Sequence, residues 1–211
     1  MFICTSFALI FVLVYKTGGT SVTQALQAHV GPLERRLHRS GRCRNGLAFR
    51  DAYHNLAPHC TAREIRDQLP NGLFVRCFKF AFVRNPWSLQ LSLFRYVLRS
   101  SDHPQHSDFA ALSSLEAYIQ WLETLPNGPQ RVQCDFVMDE NDKPLLDFIG
   151  RFERLGQDFA AVANRFGWRP NLPHLNASGD DPDYRQFYTP RSRDIIARLH
   201  RADIETFGYD F

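Results

Sequence analysis

The chain has 211 residues, 44% of them hydrophobic and 22% charged, with 18 Phe, 7 Tyr and a net charge of +3. Apolar surface on this scale offsets the ordering entropy of one globular domain and excludes a disordered chain. No sequence period repeats and only 5 residues are Cys, which excludes collagen, coiled-coil and disulfide-scaffold classes. The charge is too mild for a nucleic-acid footprint, which needs a clustered excess. The densest basic run, Arg35 to Arg44, reads as a solvated Arg-rich loop or, alternatively, as a surface that contacts a polyanion or acidic acceptor. Only three of the 25 basic residues are lysines, Lys16, Lys79 and Lys143, so a lysine inside a motif stands out.

In chain order, Met1 to Val14 is almost wholly apolar. It has no basic leader or small-residue cleavage site and is too short to cross a bilayer, so no transmembrane segment or signal peptide is expected. Phe7 to Val14 reads as the first strand, buried on both faces in a parallel sheet. Tyr15 to Ser21 follows as a Gly-Gly turn, then Val22 to Val30 as a helix. Residues 31–60 look irregular. Thr61-Ala62-Arg63-Glu64 fits a capping box opening a helix to about Leu69, stopped by Pro70-Asn71-Gly72. Phe78 to Val83 is a second buried strand, and Pro86 suits the first turn of a helix reaching Arg99, with positions 87, 91, 94 and 98 on its apolar face. A further helix is expected over 108–125, two short strands beside Asp139 to Asp142, and helices near 157–166 and 190–202. Strands separated by helices give an α/β fold with a largely parallel sheet, and no linker or repeat divides residues 1–211.

Two constellations carry chemistry. The first is strand, Lys16-Thr17-Gly18-Gly19-Thr20-Ser21, helix. Glycines let backbone approach an anion, a helix start presents unpaired N–H groups, the hydroxyls add donors, and Lys16 adds a point charge. It is not a Walker A loop, because the lysine precedes the glycines. The second is Phe82-Val83-Arg84-Asn85-Pro86-Trp87 with the later Ser92. Arg84 leaves a buried strand at the sheet edge where α/β proteins bind ligands, and Ser92 lies roughly 9 Å up the helix from Pro86. Cys4, Cys43, Cys60, Cys77 and Cys134 are odd in number, scattered and without a CxxC pair, so reduced thiols in the cytoplasm are expected and no metal site is read.

In this order the two motifs resemble the sulfotransferases that use 3′-phosphoadenosine 5′-phosphosulfate (PAPS), in the branch related to carbohydrate (glycosaminoglycan-type) enzymes and particularly its bacterial members. Those proteins carry a Pro-Lys-Thr-Gly-Gly-Thr-Ser loop and a Phe-Val-Arg-Asn/Asp-Pro segment with a later Ser. The resemblance runs on through His59 to Arg66, Gly150 to Leu155, Leu172 to Asn176 and Asp203 to Tyr209. It departs at Tyr15, where the family has Pro; at Ser88 and Leu89, where it has Asp-Arg; and at Phe94, where Tyr is common.

The resemblance implies a P-loop-like three-layer sandwich, a central and mostly parallel sheet flanked by helices. It implies a sulfotransferase that moves a sulfuryl group in line from PAPS, needing no metal, to an acceptor hydroxyl of a carbohydrate or small molecule. Lys16, Thr17, Gly18, Gly19, Thr20 and Ser21 would hold the 5′-phosphosulfate, and Arg84 and Ser92 the 3′-phosphate. Lys16 would meet charge on the leaving oxygen, and His59, with His54 as runner-up, would be the base. Arg151, Glu153, Gln130 and His174 are secondary candidates. The alternatives are a P-loop nucleotide kinase, or a non-catalytic nucleotide- or polyanion-binding module.

Overall fold

A computed structural model of the chain describes residues 1–29, 59–70, 72–125, 132–173 and 183–211. These fall into two compact units, each drawn from two stretches of chain: Met1–Val83 with Asp135–Leu175, and Arg84–Cys134 with Asn176–Phe211. The fold is α/β, a four-stranded and mostly parallel sheet flanked by helices.

The first unit holds the sheet. Its strands β1 (Phe2–Cys4), β2 (Leu9–Phe11), β3 (Phe78–Val83) and β4 (Phe148–Arg151) lie side by side in chain order. β1 runs antiparallel to β2, whereas β2–β3 and β3–β4 are parallel, with Phe80 opposite both Phe11 and Phe148. The expected first strand over Phe7 to Val14 is therefore the second, and shorter. The apolar leader is broken by a turn in which the Ala8 N–H donates to the Thr5 carbonyl (3.2 Å) and Ala8 adopts φ 48°. Phe78 to Val83 is a strand over its full expected length.

One sheet face is aromatic: Phe11 stacks on Phe80 at 4.9 Å between ring centroids, and Phe80 meets Phe82 edge-on. Helices α1 (Gly19–Gln27) and α8 (Leu155–Arg165) cover this face through Val22, Leu26, Phe159 and Val162. Ile10, Ala81 and Val83 on the opposite face are buried as well. A strand buried on both faces reads as a nearly continuous apolar run, as Phe78 to Val83 does apart from Lys79, whose ammonium is paired with Asp147. Helix α2 (Ala62–Gln68) opens with the expected capping box: Glu64 N–H donates to Thr61 Oγ1 and Thr61 N–H donates to the Glu64 carboxylate. The short α3 (Leu73–Arg76) leads into β3. In place of two strands around Asp139, there is only an isolated bridge between Met138 and Pro144, since Asp139 Oδ1 accepts from the N–H groups of Asn141 and Lys143 and closes a tight turn.

The second unit is helical: α4 (Pro86–Arg99), α5 (His106–Ala111), α6 (Leu115–Thr124), α9 (Pro190–Leu199) and α10 (Arg201–Phe207), with α7 (Gln133–Val137) beginning at its boundary. Its core gathers Trp87, Leu91, Phe94, Val97, Phe109, Tyr118, Ile119 and Ile195. On α4 the buried residue of the last turn is Val97 and not Leu98, which is exposed. The helix expected over 108–125 is two helices, because Ser114 stops the first and caps the second by accepting from Ala117 N–H.

Candidate functional site

Because β2, β3 and β4 are parallel, their C-terminal ends share one edge of the sheet. The Lys16 loop follows β2, Arg151 ends β4, and Arg84 is the residue after Val83 in the chain.

In the loop, Val14 and Thr17 are fully buried and Thr17 Oγ1 donates to the Val14 carbonyl (2.9 Å). That bond commits the Thr17 hydroxyl proton to closing the turn, so an anion would meet this residue's backbone. Lys16 is half-buried and adopts φ 61°, a left-handed conformation that costs an L-residue about 1–2 kcal/mol. Gly18 (φ 81°) is the N-cap of α1, and no side chain caps the helix. The first turn thus presents backbone N–H groups and the positive end of the helix dipole with no side-chain acceptor at the cap. A Cβ on Gly18 would sit 2.5 Å from Leu155 Cδ2, and one on Gly19 would run into the Leu13 side chain. Thr20 is exposed and Ser21 buried.

His59 Nδ1 lies 2.9 Å from the Leu13 carbonyl, three residues upstream of Lys16. A carbonyl only accepts, so Nδ1 carries the proton and Nε2 keeps the lone pair. Lost hydration pushes the His59 pKa below its ordinary value, against the opposing pull of the Leu13 carbonyl. That direction favours the neutral imidazole. His54, Gln130, His174 and the Arg35 to Arg44 run lie outside the described residues.

In the second unit, Arg84 is 4% exposed and its Nε donates to Ser88 Oγ at 2.9 Å. Ser92 follows one turn beyond Ser88, so 84, 88 and 92 line one side of the chain as it enters α4. Asn85 caps α4 by accepting from the N–H groups of Trp87 and Ser88, and its own Nδ2 donates to the Asp210 carbonyl. Leu89, where the sulfotransferase pattern has Arg, is fully buried as core, and Ser88, where it has Asp, is the Arg84 acceptor.

Sequence reasoning missed the buried polar chain behind Arg84. Gln133 holds the Arg84 backbone with both ends of its amide: Oε1 accepts from Arg84 N–H and Nε2 donates to the Arg84 carbonyl, each at 2.8 Å. Asp203 fixes Gln133 by accepting from its backbone N–H (3.0 Å) and, at 3.4 Å, from Nε2, while its other oxygen accepts from Cys134 N–H. His200 Nδ1 donates to Asp203 (3.1 Å), leaving Nε2 to accept from Gln90 Nε2 (2.9 Å), and Gln90 Oε1 accepts from Tyr118 OH (2.6 Å). Gln133, Asp203, His200 and Gln90 are fully buried and Tyr118 is 1% exposed. Burial alone would raise the Asp203 pKa, but the bonds from His200, Gln133 and Cys134 outweigh it and hold the carboxyl below its ordinary range. The available signal was Gln90 standing between Leu89 and Leu91 on an apolar helix.

Among the described residues there is no group of three or more His, Cys, Asp or Glu placed to hold a metal ion, and no helix long and apolar enough to cross a membrane.

No protein-family model matches the chain, and no solved structure matches it. A protein of the archaeon Archaeoglobus fulgidus, described only as an uncharacterized protein, is 30% identical over 123 residues, which is 58% of this chain and 94% of the archaeal one. The chain belongs to the same family as that protein.

Proposed function

We propose that the chain is a PAPS-dependent sulfotransferase with a P-loop-like sandwich fold, acting on a hydroxyl of a carbohydrate or small-molecule acceptor. The observation that carries this reading is the loop after β2: a rare lysine at φ 61°, followed by a left-handed glycine N-cap that no side chain occupies. Backbone strain clusters at functional sites, and a helix start whose N–H groups meet no side-chain acceptor suits an anion.

On this reading the N–H groups of Gly18 to Ser21 bind the donor's 5′-phosphate, and Lys16 meets the negative charge that grows on the bridging oxygen as its bond to sulfur breaks. Preorganised charge at a leaving oxygen is worth two to three powers of ten in rate, on the order of 3–4 kcal/mol. His59 Nε2 takes the proton of the acceptor hydroxyl as that oxygen bonds to sulfur. Arg84, whose Nε donates to Ser88, is the ligand of the 3′-phosphate on this reading, together with Ser92. Cys4, Cys60, Cys77 and Cys134, all buried and none in a disulfide, suit a reducing, cytoplasmic setting.

The test is a titration followed by an acceptor panel. Binding of 3′,5′-bisphosphoadenosine that ATP with Mg²⁺ does not match, together with label transfer from PAPS to a sugar hydroxyl, is the expected result. Preference for ATP with Mg²⁺ would instead mark a nucleotide kinase. Binding without transfer to any acceptor would leave a nucleotide-binding module.

A further inference from the structure

The Arg84 backbone is the end of a relay of side chains that has no solvent exposure of its own. A strand end normally loses its pairing partners where the sheet stops, and Val83 is the last residue of β3 to pair, opposite Arg151. At the next residue one primary amide supplies both bonds that a neighbouring strand would have made. Gln133 can do so only if its amide is held with oxygen and nitrogen in fixed places. The Asp203 oxygen that accepts from Nε2 and from the Gln133 backbone imposes that orientation. His200, Gln90 and Tyr118 in turn hold Asp203, and no buried side-chain nitrogen or oxygen among the described residues lacks a partner. Such fully satisfied networks fix a single geometry, and misplacing one group by about 1 Å costs binding or rate heavily.

We propose that Gln133 is a positioning residue, held by the buried Asp203–His200–Gln90–Tyr118 chain, that sets the Arg84 peptide so that its guanidinium meets the 3′-phosphate of the nucleotide. This rests on the reading of Arg84 as the 3′-phosphate ligand. It assigns discrimination for 3′-phosphorylated nucleotides to residues that never touch the ligand, separated from Arg84 in sequence by 49 residues for Gln133. A merely structural network would lower affinity for every nucleotide alike.

The experiment measures, by calorimetry on the full chain, affinity for 3′,5′-bisphosphoadenosine and for adenosine 5′-monophosphate, which lacks the 3′-phosphate. In Gln133→Met, which keeps volume but removes both bonds, the bisphosphate should weaken about tenfold or more, while the monophosphate changes by about twofold or less. Tyr118→Phe, a milder change at the far end of the relay, should reduce the same preference by a smaller factor, and it decides the matter if Gln133→Met does not fold. A wild-type preference that survives in the folded variants, or equal losses for both nucleotides, overturns the role of Gln133 alone. A wild-type chain that does not prefer the bisphosphate overturns the reading of Arg84 and this inference with it.

Discussion

Replacing Lys16 separately by Ala and by Gly separates its chemistry from its conformation. Both variants lose the ammonium and every contact its stem makes, so those losses cancel when one is compared with the other. What remains is the cost of holding a Cβ at φ 61°. An L-residue pays about 1–2 kcal/mol in the left-handed region, whereas Gly in place of Ala at an ordinary position costs about 0.5–1 kcal/mol of chain entropy. The net is about 0.5–1 kcal/mol in favour of Gly, the reverse of the usual order. For a chain of this size each kcal/mol moves Tm by about 2–4 °C, so Lys16→Gly should melt about 1–4 °C above Lys16→Ala. Ala8, at the opposite end of β2 with φ 48°, calibrates the method: Ala8→Gly should gain a similar amount. Both Lys16 variants should lose transfer by about two to three powers of ten with a much smaller change in binding of 3′,5′-bisphosphoadenosine. Scanning calorimetry reads the first quantity and single-turnover transfer the second. A Lys16→Gly chain that melts below Lys16→Ala would refute the strain argument, and equal losses in turnover and nucleotide binding would remove Lys16 from the leaving oxygen.

Three further outcomes follow. His59 has a folded pKa depressed below its ordinary 6.5, so the unfolded chain binds more protons and stability contributed by His59 is full above 6.5 and lost as pH falls toward the folded value. Tm measured from about pH 8 down to 5 should therefore fall less steeply in His59→Gln than in wild type, and parallel curves would refute the burial effect. Gly18→Ala should cost about 0.5–1 kcal/mol net from φ 81°, with added crowding at Leu155, whereas Gly19→Ala should cost less because it meets only the half-buried Leu13 side chain, which can turn aside; urea unfolding ranks the two. Ser88→Ala strips the Nε acceptor from the nearly buried Arg84 and should cost about 1.5–3 kcal/mol in the same assay, with weaker binding of 3′,5′-bisphosphoadenosine.

What the sequence revealed and what it hid divide by the range of the interactions. Phe78 to Val83 is legible because a strand covered on both faces shows a nearly apolar run, broken only by Lys79, and the Thr61 capping box is legible because both of its bonds close within four residues. The loop from Lys16 to Ser21 is legible for the same reason: glycine, hydroxyl and helix start are neighbours in the chain. Misreadings fell where one local signal competed with another. The apolar leader hid a turn at Ala8, which adopts a conformation no propensity favours for alanine, and Ser114 divided a helix whose apolar pattern continued across it.

The support behind Arg84 left one local trace, Gln90 between two leucines, and nothing local that linked it to Arg84. Its bonds span 28 residues from Gln90 to Tyr118, 110 from Gln90 to His200 and 70 from Gln133 to Asp203, and each member alone is an ordinary polar residue. Only the fold brings them together, and only burial makes their pairing compulsory, since an unsatisfied amide or carboxylate there would cost about 1–3 kcal/mol or more. The two motifs proposed to hold the nucleotide are thus fixed by different physics. The Lys16 loop is assembled from neighbours in the chain and closed by a bond across three residues, Thr17 Oγ1 to the Val14 carbonyl. Arg84 is set by a long-range network, and a sequence bearing the same Arg-Asn-Pro string without Gln133 and Asp203 should keep the α4 cap and lose the aim of the guanidinium.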